Sequence, residues 1–330
     1  MSLKKILTFL IIFLFTKFSA AECTLRSGSY PQTFTLPPQV ITIDADRPMD
    51  TSTPIFAINT GTQPEVVYDY CVQPSTFGKS VMNLINQDTA TKIFPTNIPG
   101  IGIKVRWNNG AAFGDYPSTG QTTFSTSIGA FIYPATSFFR IELYKTQQTL
   151  NLSNKSGDLV LPAEEIAYNW ILVDSPDRYA QRLTIGPITL ISTPSCTYDN
   201  SKSVDFGTVT TNTLTSSGIA RDLDFTLICK TDYGSYSASA SITTDTPTPD
   251  SKYIKVKDAA GNMDRLGIKI TNSKNADMLL DGTTQEKFEN ITTGAPAQFN
   301  WRATLYPMGN GKLPENGAFT ARAEILLQVK

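Results

Sequence analysis

Trp107-Asn108-Asn109-Gly110, followed closely by Phe113-Gly114-Asp115-Tyr116, gathers two amides, a carboxylate and three aromatic rings into ten residues. Amides and carboxylates grip vicinal hydroxyls in pairs, and an aromatic plane covers the apolar face of a ring. Non-covalent recognition of a polyhydroxylated ligand is therefore the chemistry these residues could do. Asp174-Ser175-Pro176-Asp177-Arg178-Tyr179 offers a second such mixture, and Tyr68-Asp69-Tyr70 beside Cys71 a third. Each also has a plain structural reading. Asn-Asn-Gly and Ser-Pro-Asp are ordinary turn chemistry, Trp107 falls on the inward phase of its strand, and Tyr68 and Tyr70 suit packing around a disulfide. The first loop leads because all the required groups lie within it.

Other chemistries find less support. The chain has no histidine, which removes the Ser-His-Asp and Cys-His machineries. A glycosidase needs two carboxylates facing each other across a cleft. Glu164 and Glu165 are adjacent on a strand and point opposite ways, while Asp174 and Asp177 share a turn. No cysteines stand at C-x-x-C spacing, and Asp44 and Asp46 lack any calcium-loop pattern, so we expect no metal, no cofactor and no catalysis. With 28 Lys+Arg against 29 Asp+Glu and no basic block interleaved with aromatics, nucleic acid and anionic membranes are not expected partners.

The elements that must carry these loops are strands. Ile103, Val105 and Trp107 alternate, as do Phe139, Ile141 and Leu143; Ile166 to Val173 carries Tyr168 and Trp170, and Leu183 to Ile191 is apolar but broken by Gly186-Pro187. Further on, Leu223, Phe225, Leu227 and Cys229 alternate, then Ala238, Ala240 and Ile242, then Ile268 and Ile270, then Phe299, Trp301, Ala303 and Leu305. Only Ser80 to Thr89 suggests a short helix. The fold class is all-β, with two sandwich domains. A polar, proline-bearing step at Ser192-Thr193-Pro194-Ser195 places the boundary, giving domains over 22–192 and 196–330 joined by 193–195.

Both ends are informative. Lys4 and Lys5 precede an apolar run from Ile6 to Phe15, and Ser19-Ala20-Ala21 follows, the pattern of a secretory signal peptide over 1–21. No later segment is apolar for the roughly 20 residues a bilayer requires. Four cysteines remain in the exported chain, at 23, 71, 196 and 229, and allow three connectivities. Sequence proximity favours Cys23 with Cys71 and Cys196 with Cys229, each closure worth roughly 4 kcal/mol on the chain-entropy estimate. At the other end Phe319, Ala321, Ala323, Ile325, Leu327 and Val329 point one way along a final strand with no hairpin partner after it. Such an edge invites completion by another strand.

Cys196 after the boundary, Val204-Asp205-Phe206-Gly207 as a first strand, Cys229 closing the next, and an alternating tail from Gly317 together resemble the pilin domain of Gram-negative fimbrial subunits built by the chaperone–usher pathway. The resemblance covers about 195 to 330. One departure is Val329, where such subunits often carry a penultimate Tyr; it bears on the detail of chaperone recognition.

The resemblance implies an immunoglobulin-like fold lacking its last strand, with Gly317, Phe319, Ala321, Ala323, Ile325, Leu327, Val329 and Lys330 along one edge of the resulting groove. A periplasmic chaperone would lend a strand first, and an adjacent fimbrial subunit would replace it at the outer-membrane usher. Cys23, one residue after the expected cleavage site, leaves no donor extension, so the subunit is expected to cap the fibre at the cell surface. The N-terminal domain then resembles, in arrangement only, the receptor-binding domain of two-domain tip adhesins, which implies binding of a host or surface glycan. Trp107, Asn108, Asn109, Asp115 and Tyr116, with Asp174, Asp177, Arg178 and Tyr179, are the candidate contacts. The alternative is a structural tip subunit that starts assembly and binds protein or abiotic surfaces; a free secreted hydrolase is a third reading.

Overall fold

The computed structural model describes residues 23–309 and 311–330, so the expected signal peptide lies outside the described residues. Every regular element among them is a strand apart from one 3₁₀ turn, Pro176–Arg178, and no helix there is long and apolar enough to cross a membrane. The chain forms two compact units.

The first unit takes the described residues up to Ile41, with Pro48–Gln148 and Gly157–Leu190. One of its sheets runs Ser118–Gln121, Thr76–Val81, Glu164–Ile171, Tyr179–Ile185 and Gln32–Leu36, the last pair parallel. A second runs Phe56–Asn59, Phe138–Lys145, Ile101–Asn108 and Phe94–Pro95, with Phe113–Asp115 also on Ile101–Asn108. Alternation decides the facing sides: Ile103, Val105, Phe139, Ile141 and Leu143 are all buried, and Phe139 meets Phe34 edge-on at 5.1 Å. Ile166 to Ile171 is buried on both faces, which is why that run reads as continuously apolar. A third sheet, Thr24–Leu25, Val66–Val72 and Ile128–Tyr133, is tied by the Cys23–Cys71 disulfide.

The second unit comprises Thr42–Arg47, Thr149–Ser156 and Ile191–Lys330. It is an immunoglobulin-like sandwich. One sheet runs Ser195–Tyr198, Ile219–Lys230, Pro296–Pro307, Leu266–Thr271 and Ile254–Val256; the other runs Glu286–Thr292, Ser235–Thr243 and Glu324–Val329. The alternating residues of Ile219–Lys230 and Pro296–Pro307 fill the space between, with Phe225 stacked on Phe299 at 4.8 Å and edge-on to Trp301 at 5.0 Å. Cys196–Cys229 joins directly paired residues of neighbouring strands.

Four local readings change. Ser80 ends within the strand Thr76–Val81, and the chain beyond it turns irregularly through left-handed Asn83, Asn86 and Lys92, so no helix forms. Val204 to Gly207 joins no ladder: Asp205 accepts from the Gly207 amide at 2.7 Å, Gly207 sits at φ 68, and the backbone turns, although Phe206 still reaches the core. The units divide at Leu190/Ile191, and the second recruits Thr42–Arg47 and Thr149–Ser156, which a boundary read along the sequence cannot assign. The final ladder covers only Glu324–Val329, upstream of which Ala321 and Ala323 are exposed.

Candidate functional site

The second unit holds a groove of about 720 Å³ between the stretch from Tyr198 to Phe206 and the stretch from Phe319 to Leu327. Its floor is apolar, built by Phe225, Ile242, Ile254, Ile268 and Ile270 from both sheets. One wall is the strand Glu324–Val329, paired antiparallel to Ser235–Thr243, with Leu327 opposite Ala240 and Ile325 opposite Ile242. Among the described residues its other edge pairs with no strand. Ile325, Leu327 and Val329 pack against the core yet stay only half-buried, so the alternation that normally signals a covered face is here half covered. The opposite wall is Val204 and Phe206, with Phe206 and Phe319 facing at 6.5 Å; beyond them its rim is polar, and Lys202 pairs with Asp199 at 3.0 Å.

Of the expected tail contacts, Phe319, Ala321, Ala323, Ile325 and Leu327 line this groove, while Gly317, Val329 and Lys330 lie outside its lining. Lys330 exchanges two backbone hydrogen bonds with Ser237 instead. The far wall and the floor were not expected. Val204 and Phe206, two residues apart just after Cys196, carried the signal for the wall.

In the first unit the loop after Ile101–Asn108 spends most of its polar groups on itself. Asn108 accepts from the Gly110 amide at 2.7 Å and Asn109 from those of Ala111 and Ala112, a turn that puts Gly110 at φ 94. Trp107 packs beside Tyr133 and donates its indole N–H to Gln181 at 2.8 Å. Tyr116 is fully buried and donates to Asn169, which in turn donates to Gln181 at 3.2 Å; Gln181 donates to Ser137 at 2.9 Å. Burial pushes the Tyr116 hydroxyl well above its ordinary pKa. A side chain so placed holds the core and touches no surface ligand, which corrects the expectation for Tyr116.

Asp115 belongs to an ion ladder on the outer face: Lys104 and Arg106 flank it at 3.5 and 2.9 Å, and Glu142 receives Arg106 at 3.6 Å and Arg140 at 2.7 Å. Arg106 also lies 4.6 Å from the Phe113 ring centre. Lys79, missed in the sequence, reaches from the facing sheet to within 5.8 Å of the Trp107 ring and against Gly114, where burial lowers its pKa while Asp115 opposes the shift.

The second loop is different. Asp174 accepts from Ser80 at 2.8 Å and Tyr168 at 2.7 Å; burial first, then that bond, pushes the Tyr168 pKa up to about 12. Asp177 and Arg178 are exposed, and among the described residues neither side chain has a hydrogen-bond or ion-pair partner. Tyr179 is half-buried under the Arg182 guanidinium at 4.5 Å. Leu172, at φ 67 with the Val173 amide bonded to the Ile171 carbonyl at 2.9 Å, enters the loop in a left-handed conformation that bulky residues rarely adopt. The acidic candidates for other chemistry are tied down: Glu165 to Arg182 at 2.7 Å, Glu164 to Asn83 at 2.8 Å, Asp44 to Thr193 and Asp46 to Ser195, both at 2.7 Å. In the third concentration Asp69 pairs with Arg26 at 2.9 Å and Tyr70 is exposed.

The groove falls within a stretch, residues 187–330, that matches the model of the fimbrial protein family. The C-terminal part of the chain is a fimbrial domain. No curated protein sequence matches the chain. Among solved structures it is similar to the receptor binding domain of the plasmid-borne adhesin MrkD1P of Klebsiella pneumoniae, at 20% identity and TM-score 0.36, over 51% of this chain and 96% of that one. It is similar to the CupB6 tip adhesin of Pseudomonas aeruginosa, at 14% identity and TM-score 0.36, over 93% and 95%. It is also similar to a chain of the CsuC–CsuE chaperone–tip adhesion subunit complex of Acinetobacter baumannii Csu pili, at 10% identity and TM-score 0.42, over 91% and 99%. In the fimbrial domain the groove is floored by both sheets and bordered by an open strand edge.

Proposed function

We propose that the chain is a fimbrial tip adhesin: its fimbrial domain receives a donor strand, and its N-terminal unit binds a host or surface glycan without covalent chemistry. The observation that carries the reading is the apolar groove beside the open edge of Glu324–Val329. A strand laid there would gain backbone hydrogen bonds from the edge and bury alternate side chains over Phe225, Ile242 and Ile268. About five such side chains, at roughly 1.5 to 3 kcal/mol each, sum to the order of a whole domain's stability. The donors are a periplasmic chaperone during export and an adjacent fimbrial subunit after transfer at the outer-membrane usher, which leaves the protein at the fibre tip on a Gram-negative surface.

For the glycan, Asp177 and Arg178 beside Tyr179 are the better contacts, because their polar groups are uncommitted, whereas Asn108 and Asn109 hold their own turn. A second reading, attachment to protein surfaces, draws on the exposed Val72, Ile128 and Ile132 on the sheet Thr24–Leu25, Val66–Val72 and Ile128–Tyr133. A glycan array probed with the full chain decides between them. Dose-dependent binding to related glycans, lost in Arg178→Ala, supports the lectin; a blank array from folded protein sinks it and leaves the protein-binding reading.

A further inference from the structure

The groove wall is more precise than its ladder explains. Regular pairing begins only at Glu324, yet Phe319 to Ala323 already line the groove. The segment from Glu315 to Ala323 is fastened at three points. Thr320 and Lys257 exchange two backbone hydrogen bonds at 2.9 and 3.0 Å, Thr244 donates its hydroxyl to the Arg322 carbonyl at 2.6 Å, and the Glu315 amide donates to the Asp258 carboxylate at 3.0 Å.

The third point is unusual in its chemistry. Asp258 is 4% exposed, and one carboxylate oxygen accepts from the amides of Ala260 and Asn262 at 3.0 and 2.9 Å and from the Asn262 side chain at 3.2 Å. The other accepts from the Asn262 side chain at 3.0 Å and from Glu315, 57 residues away. One oxygen thus builds the local turn, and the other reaches the distant wall. Gly317 shows how closely the two segments approach: it holds φ 137, and a Cβ there would stand 2.7 Å from that of Ala259.

We propose that Asp258 is a positioning residue for the groove, clipping the wall from Glu315 to Ala323 in the conformation that receives the incoming strand. This rests on the strand-receiving reading above. Backbone ordered before the strand arrives need not be ordered at its expense, so the clip acts on the rate and affinity of strand entry. A residue that merely shaped its own turn would not.

Asp258→Asn separates the two roles, because its remaining oxygen can hold the Ala260 and Asn262 amides while its amide group presents N–H toward the Glu315 N–H. Gly317→Ala presses the same contact apart from the other side, and Leu280→Ala, buried and outside the groove lining, serves as a control for general destabilisation. The full chain carrying each change is compared by amide exchange over residues 315–323 and by association with a synthetic peptide of alternating valine and threonine. Losing a charge-assisted bond predicts about tenfold faster exchange and about tenfold slower association for Asp258→Asn and Gly317→Ala, with association unchanged in Leu280→Ala. Wild-type exchange and association in Asp258→Asn overturn the clip while leaving strand reception intact. A wild-type chain that takes no peptide overturns strand reception, and the clip's role falls with it.

Discussion

The loop at 107–116 and the groove wall at 319–327 were both marked in the sequence, and they come to opposite uses. In the first, residues suited to gripping a ligand grip the protein: Asn108 and Asn109 close a turn, Trp107 and Tyr116 join the Asn169–Gln181–Ser137 network, and Asp115 sits between Lys104 and Arg106. In the second, residues suited to a core stay half uncovered. Amides and aromatics are ambiguous because turns, cores and binding sites want the same groups. An alternating apolar strand is less so, since half-exposed Ile325, Leu327 and Val329 gain free energy only when something covers them.

The strongest way to break the comparison is at Tyr116. If it is core, Tyr116→Ala costs about 3 to 5 kcal/mol through the cavity it leaves, and Tyr116→Phe about 1 to 3 kcal/mol because the buried Asn169 oxygen loses its donor. Both are read from denaturant unfolding of the full chain. Unchanged stability with lost ligand binding would return Tyr116 to the surface role.

The wall gives a smaller effect with the opposite pattern. Leu327→Ala costs the free chain about 1 kcal/mol for the half of the side chain already covered and weakens the alternating peptide by about 1 to 2 kcal/mol, roughly five- to thirtyfold, because the remaining exposed area is buried only in the complex. Isothermal titration checks the ratio. A large loss of intrinsic stability with unaltered affinity would make the wall an ordinary core strand.

What could be read ahead follows from the range of the interactions. Strand periodicity survives because Leu223 to Cys229 and Phe299 to Leu305 each bury one side of a single strand, a local pattern. Val204 to Gly207 failed because its alternation is real but Asp205 captures the Gly207 amide and bends the backbone out of any ladder. Ser80 failed because pairing with Tyr168 in the next strand outweighs local helical preference. Lys79 over Trp107 and Asp258 on Glu315 link residues far apart in sequence, and no spacing rule announces such partners.

Acid tests the clip by a different route. Hydrogen bonds, the Glu315 amide foremost, hold the Asp258 carboxyl down at about pKa 2, below its ordinary value of 3.8. A depressed folded-state pKa means the contribution is fully present above about pH 4 and is lost as pH falls through about 2. Amide exchange over 315–323, corrected for its intrinsic pH dependence, should therefore speed up between pH 4 and 2 in the wild type and show no such step in Asp258→Asn. A step that persists in the variant would assign the transition to another carboxylate.

The smallest effect on stability is also the sharpest test of where a ligand touches the first unit. Asp177 and Arg178 support no other side chain, so Asp177→Ala and Arg178→Ala should each change stability by no more than about 0.5 kcal/mol. If the 174–179 loop is the contact, the same changes weaken binding to whichever array glycan the wild type takes by about five- to 150-fold, since a buried hydroxyl left without its charged partner costs about 1 to 3 kcal/mol. Asp115→Ala, which breaks the Lys104–Arg106 ladder, should cost up to about 1 kcal/mol in stability and leave binding untouched. Binding that follows Asp115 instead would reverse the ranking of the two loops and show that a ladder of ion pairs can open to admit a ligand.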